Sequence, residues 1–167
     1  MKRKKNIIDD LSIRMRLEDV TDEELIALIL EQVQDLEMGD RDGRTLLWHT
    51  AMGERRKVAE WLVEHGANIN TQDDNSFSAL HLAAQEKNIG MVTYLLQNGA
   101  DVNIRDKFGN TPIMRTNRAT PVELLHILLQ NGADVDIRNI AGVSYRDVAV
   151  AVANPDALEL LKEYALI

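Results

Sequence analysis

Apolar residues pair up along this chain at a fixed interval. Leu62-Val63, Leu95-Leu96 and Leu128-Leu129 each stand just ahead of a glycine, Gly66, Gly99 or Gly132, and the glycines follow one another at steps of 33 residues. Each glycine opens the same short segment: Gly66-Ala67-Asn68-Ile69-Asn70, Gly99-Ala100-Asp101-Val102-Asn103 and Gly132-Ala133-Asp134-Val135-Asp136. Hydroxyl residues keep the register as well, at Thr45, Ser78, Thr111 and Ser144, with Gly43, Gly109 and Gly142 two positions before three of them. A period of this length marks an array of supersecondary units.

Local chemistry turns the period into elements. A hydroxyl caps a first helix by accepting a backbone N–H, and the recurring glycine ends a second helix by taking the left-handed conformation at little cost. Each unit is therefore predicted to be a helix–turn–helix with an extended finger. In the third unit Thr120 is expected as N-cap of the second helix, with Pro121 at its first position and Glu123 closing a capping box. Asn154-Pro155 offers the same start in the fourth. Upstream, Thr21-Asp22-Glu23-Glu24 is a further capping box, opening an apolar helix through Leu25, Ile26, Leu28, Ile29, Leu30 and Val33. Leu25-Ile26 and Ile29-Leu30 precede Val58-Ala59 and Leu62-Val63 by the same 33 residues. Residues 12–39 are expected to form a degenerate first unit of capping helices, the alternative being an unrelated amphipathic helix. Residues 1–11 are expected to be a mobile basic tail.

The units resemble the ankyrin repeat. Ser78-Ala79-Leu80-His81-Leu82-Ala83-Ala84 is similar to that family's Thr-Pro-Leu-His-x-Ala-Ala signature, and Thr111-Pro112-Ile113 repeats its opening. Trp48, Met114 and Asp147 take the signature histidine position in the other units, so the family's Thr–His side-chain bond is available only in the second. The resemblance implies an all-α ankyrin-repeat solenoid with β-turn fingers, capped at both ends. Its units would be 40–72, 73–105, 106–138 and a C-terminal cap at 139–167.

Composition fits this and narrows the function. Hydrophobic residues make up 45% and charged residues 28% of the chain, as in a soluble globular protein, and aromatics only 4%. A net charge of −8 disfavours nucleic acid and anionic membranes as partners. Cysteine is absent, which excludes disulfides and Cys-based zinc sites and suits a reducing compartment. No apolar stretch follows Lys2-Arg3-Lys4-Lys5, so a cytoplasmic location is expected. Those four cations read either as a solvated tail or as an import signal or nucleic-acid arm. Asp19, Asp22, Glu23, Glu24 and Glu31 either complement a helix N-terminus or attract a basic partner.

Nothing in the sequence points to catalysis. His81 belongs to the repeat signature and is expected to hydrogen bond within its repeat. His65 precedes a helix-ending glycine, and His126 lies on a second, packing helix; His49 completes the set. No metalloprotease, nucleophile-elbow or phosphate-loop motif occurs. An enzyme, a cofactor and a metal site are all unexpected.

Binding is expected where the repeat stops dictating residue type: at the fingers and just after the first helices. Those positions hold Arg41, Asp42, Arg44 and Met52 in the first unit, and Asp74, Asn75, Phe77, Gln85 and Glu86 in the second. The third supplies Lys107, Phe108, Asn110, Arg115 and Arg118. Phe77 and Phe108 read as anchors within a polar rim, or else as rings folded back on the neighbouring repeat. Trp48, at a signature position, is expected to be buried. The partner is expected to be another protein, with the chain a monomer when free. The Arg115-to-Pro121 and Ala149-to-Asn154 segments are similar to those of short bacterial ankyrin proteins encoded beside toxins, which implies an immunity protein neutralising a basic toxin domain. The alternative is a regulatory ankyrin inhibitor or adaptor in intracellular signalling.

Overall fold

The computed structural model describes residues 6–16, 18–52, 55–151 and 155–164; Lys2 to Lys5 and Asn154 lie outside them. Among the described residues the chain is all-α, with no strand and one isolated bridge between Gln72 and Ser78. It divides into two compact units, residues 1–79 and 80–167.

The first unit holds α1 (Ile7–Arg14), α2 (Asp22–Gln32), α3 (Leu46–Met52) and α4 (Arg56–Glu64). The Thr21 capping box forms as expected: its hydroxyl accepts from Glu24 N (3.1 Å) and the Glu24 carboxylate accepts from Thr21 N (2.9 Å). The expected tail, however, ends sooner than residue 11. Asn6 caps α1 by accepting from Ile8 N (2.9 Å), and its amide donates to Gly39 O (3.0 Å). Ile8, Leu11 and Met15 are fully buried where α1 packs on α2 and α3. Apolar burial of three large side chains offsets much of the ordering entropy of one short helix. Arg55 then fastens the end of α1, donating to Met15 O (2.9 Å) and pairing with Asp22 (3.1 Å). Leu25 and Ile29 of α2, like Val58 and Leu62 of α4, are fully buried, and the two helices pack together.

The second unit runs α5 (Ala79–Gln85), α6 (Ile89–Gln97), a 3₁₀ turn at Pro112–Arg115, α7 (Val122–Gln130), α8 (Tyr145–Ala151) and α9 (Pro155–Glu163). Leu95, Ile113, Leu124, Leu128 and Leu161 form its core. Where the second repeat has Ala83-Ala84, the third has Thr116-Asn117, and the first helix shrinks to a single turn. Their side chains compete with the helix ladder. Thr116 Oγ1 donates to Ile113 O (2.7 Å), and Asn117 Oδ1 accepts from Ala119 N (2.8 Å). The expected Thr120 cap is absent for the same reason: its hydroxyl accepts from Asn117 N (2.9 Å), and Pro121 stands at the N-cap with no side-chain bond.

Second helices end alike in both units. Gly66, Gly99 and Gly132 have φ of 92°, 91° and 86°, the left-handed region where a Cβ is costly. In each case two bonds close the end. Gly66 N donates to Val63 O and Ala67 N to Leu62 O; Gly99 and Ala100, then Gly132 and Ala133, repeat the pattern on Leu96, Leu95, Leu129 and Leu128.

Candidate functional site

Each finger tip is built around one side chain, at Asp40, Asp73, Asp106 and Asn139. Asp106 Oδ1 accepts from Phe108 N (2.8 Å) and Asn110 N (2.9 Å), while Asp106 N donates to Asn110 O (3.0 Å). Asp40 does the same for Asp42 N (2.9 Å) and Arg44 N (3.0 Å), and Asp73 for Asn75 N (2.8 Å) and Phe77 N (2.9 Å). Asn139 repeats it with a neutral oxygen, on Ala141 N (3.0 Å) and Val143 N (3.1 Å). The residue three positions on has positive φ: Gly43, Ser76 (57°), Gly109 (77°) and Gly142. These four anchors lie 33 residues apart, a signal present in the sequence and overlooked there.

Neighbouring tips within a unit are stitched by main chain and, in the second unit, by a side-chain pair as well. In the first unit Asp74 N donates to Asp42 O (3.0 Å); in the second, Ile140 N donates to Phe108 O (2.9 Å) and Asn139 Nδ2 to Asn110 Oδ1 (2.9 Å). A Cβ at Gly109 would sit 3.2 Å from Asn139 Cα and 2.7 Å from Arg105 Nη2, so these two tips abut closely.

The sequence-predicted residues divide by role. In the first unit Arg41 and Asp74 are exposed at the tips and Met52 at the end of α3, while Asp42, Asn75 and Phe77 are half-buried. Arg44 pairs with Asp42 (3.0 Å), lies 3.8 Å from Asp73 and sits 4.9 Å over the ring of Trp48, which is buried as expected. In the second unit Gln85 and Glu86 are exposed at the end of α5, and Lys107, Phe108 and Arg118 are exposed. Asn110 and Arg115 serve the tip instead: Arg115 forms an ion pair with the buried Asp106, and Asn110 O accepts from His81 Nε2 (3.0 Å). His81 thus bonds to the following finger, beyond its own repeat.

Phe108 is 48% exposed, with Lys107 Nζ 5.1 Å from its ring centre. Beside it, Ile140 is 74% exposed. Ile140 was not among the sequence candidates, since an aliphatic residue in a repeat reads as core. Phe77 and Phe108 differ because Phe77 is the returning base of its tip, bonded to Asp73, whereas Phe108 is at the apex.

The remaining histidines are each held by neighbouring groups. His65 Nδ1 donates to Trp61 O (2.7 Å) and stacks on that indole at 4.0 Å. His126 lies 3.2 Å from the Tyr164 hydroxyl. His49 is buried and its Nε2 lies 3.0 Å from Asp40. Burial pushes its imidazole below the usual range, more than Asp40 raises it, and Arg16 and Arg44 push the same way. Burial alone would raise the Asp40 carboxyl; the N–H groups of Arg44 and Asp42, with His49, outweigh it and hold it low. We read the pair as a neutral imidazole donating to a carboxylate. Among the described residues no group of three His, Asp or Glu is placed to hold a metal ion, and no helix is long and apolar enough to cross a membrane.

A family model described as ankyrin repeats in three copies matches residues 19–106 and 73–139. Over 50 residues the chain is 44% identical to inversin of Danio rerio, a match covering 30% of this chain and 5% of that protein. Over 66 residues it is 29% identical to the ankyrin repeat domain-containing protein OPG015 of Monkeypox virus, covering 40% of this chain and 15% of that protein. The chain thus matches only a small part of the length of either relative.

Proposed function

Since the chain belongs to the ankyrin-repeat family, whose members are in general protein-binding modules without enzymatic activity, we propose that it holds a protein partner on its finger tips, with Phe108 as the anchor. One observation carries this reading: Phe108 and Ile140 are exposed side by side on tips whose backbones are hydrogen bonded to each other. Exposed apolar side chains on a rigid support bury area on binding without the cost of ordering a loop. Lys107 and Arg118 supply polar rim in this unit. Arg41 and Asp74 play the same part in the first unit, where Met52 offers an apolar contact, and Gln85 and Glu86 supply polar rim at the end of α5.

For the partner we propose a basic toxin domain that this chain, as a cytoplasmic monomer, neutralises. The net charge of −8 and the exposed carboxylates of α2, Glu23, Glu24 and Glu31, support that choice through electrostatic steering. Affinity capture from the native source, with mass spectrometry, identifies the partner. With that partner, Phe108→Ala is expected to weaken binding about 30-fold, or ~2 kcal/mol. Unchanged affinity in a normally folded variant refutes the finger-tip assignment. Capture of a signalling enzyme in place of a toxin, or failure to protect cells from a toxin encoded beside it, refutes the immunity role and leaves the surface standing.

A further inference from the structure

Helix α1 and the first finger tip enclose a cleft of about 410 Å³ in the first unit. It shares Arg41 with the finger-tip surface and adds α1, which precedes the repeats. Its walls include Arg16 of α1, Arg41 and Arg44 of the tip, and the buried Asp40–His49 pair.

Charge in this cleft is unequally committed. Asp40 already receives two backbone N–H groups and the His49 imidazole, and Asp42 is held by Arg44 at 3.0 Å. Arg16 is exposed and makes no ion pair among the described residues; Arg41, also exposed, reaches only Asp9, 3.8 Å away. One polar atom among the lining residues has no partner: His49 Nδ1 is buried without a hydrogen bond, on a side chain 2% exposed, whereas Arg44 Nε, also buried without a hydrogen bond, lies 3.8 Å from the Asp73 carboxylate. Leaving such a group unsatisfied is costly, and a ligand that pairs with it recovers that cost.

We propose that the cleft binds a carboxylate carrying a hydrogen-bond donor beside it, as at the C-terminus of a peptide or in a hydroxy acid. Arg16 and Arg41 clamp the carboxylate at the mouth. The neighbouring donor satisfies His49 Nδ1, which is a lone-pair acceptor in the neutral tautomer that donates from Nε2 to Asp40. A cleft lined by Asp9, Asp40 and Asp42 accepts this anion because the donors already named spread the charge of Asp40 and Asp42; Asp9 is held only loosely by Arg41, at 3.8 Å.

The test is an amide-resolved NMR titration of the full chain with N-acetylglycylglycine, which has a free carboxylate next to an amide N–H. Shifts are expected at Arg41, Asp42, Arg44 and His49, and none with the C-terminal amide of the same peptide. Arg16→Gln and Arg41→Gln, both at exposed positions and checked by thermal melts, are each expected to weaken binding about tenfold. Phe108→Ala leaves it unchanged, which separates this site from the finger-tip surface. Lactate run in parallel distinguishes the sources. Tighter binding of lactate identifies a free acid, tighter binding of the peptide identifies a partner's chain terminus, and either result supports the site. Equal shifts from the amide or from sodium chloride at matched ionic strength overturn the proposal, as does wild-type affinity in both arginine variants.

Discussion

Asp106 gives the most searching test of how the finger tips are held. Its side chain is 1% exposed and connects to Phe108 N, to Asn110 N, to Arg115 and, more weakly at 3.4 Å, to Asn110 Nδ2. Asp106→Ala removes all of these. Hydrogen bonds to a charged acceptor contribute about 1.5–3 kcal/mol each, and the lower figure applies here because water reaches the exposed Phe108 side of the turn. Stripping Arg115 of its carboxylate adds about 1 kcal/mol or more, since its guanidinium is largely sheltered. The expected loss is about 4 kcal/mol, the sum of these terms. Asp106→Asn keeps an oxygen for both N–H groups, as Asn139 does at 3.0 and 3.1 Å, and gives up only the charge. It is expected to cost about 1–2 kcal/mol. Urea melts followed by far-UV circular dichroism measure both, at constant slope. Tryptophan fluorescence is the wrong probe, because Trp48 and Trp61 both lie in the first unit. Equal losses in the two variants would refute the turn-based account in favour of a purely electrostatic one. A loss below about 1 kcal/mol in Asp106→Ala would show that the tip does not depend on this side chain.

Three further outcomes are expected. Ser76 sits at φ 57° where the other tips have glycine, so Ser76→Gly relieves left-handed strain of ~1 kcal/mol, offset by the entropy of glycine; a small rise in the melting temperature is expected, and a fall contradicts the strain. Gly109→Ala, at φ 77° and against Asn139 backbone, is expected to destabilise by ~2 kcal/mol, more than Gly132→Ala at φ 86° in open space, about 1 kcal/mol; equal melts for the two variants would count against close apposition of the tips. His49 has a folded pKa below its unfolded value near 6.5, so the unfolded chain takes up a proton first, and stability falls as pH drops below about 6.5 toward the folded value. Asp40, also lowered, adds stability that is present above the unfolded carboxylate value and lost as pH falls through its folded one. A His49 imidazole titrating above 6.5 by NMR would reverse the first sign.

The period was the legible part, because capping glycines and paired leucines depend on neighbours within one turn of helix. What escaped depended on distant partners. Ile8 and Leu11 look like the start of a tail until the surfaces of α2 and α3 are there to cover them. Thr120 has the right sequence for a cap, yet Asn117 competes for the same hydroxyl and wins. Among the site residues, Arg41, Lys107 and Phe108 are exposed at the tips, whereas Arg44, Asn110 and Arg115 are tied to the tips themselves. Sequence distinguishes poorly between an arginine that greets a partner and one that braces a turn, since both are long, polar and adjacent to aspartate.

The tip turns have one more consequence. The anchor at Asp40, Asp73, Asp106 or Asn139 grips main-chain N–H groups, and neighbouring tips are joined through main-chain atoms of Asp42, Asp74, Phe108 and Ile140. The loop is thus shaped chiefly by its anchor and its main chain, and less by the side chains at the apex. Partner preference and foldability are thereby written largely in separate positions, and mutation can explore Asp74, Phe108 or Ile140 with little risk to the scaffold. A lineage under pressure to follow a changing partner would need to alter only those apical letters.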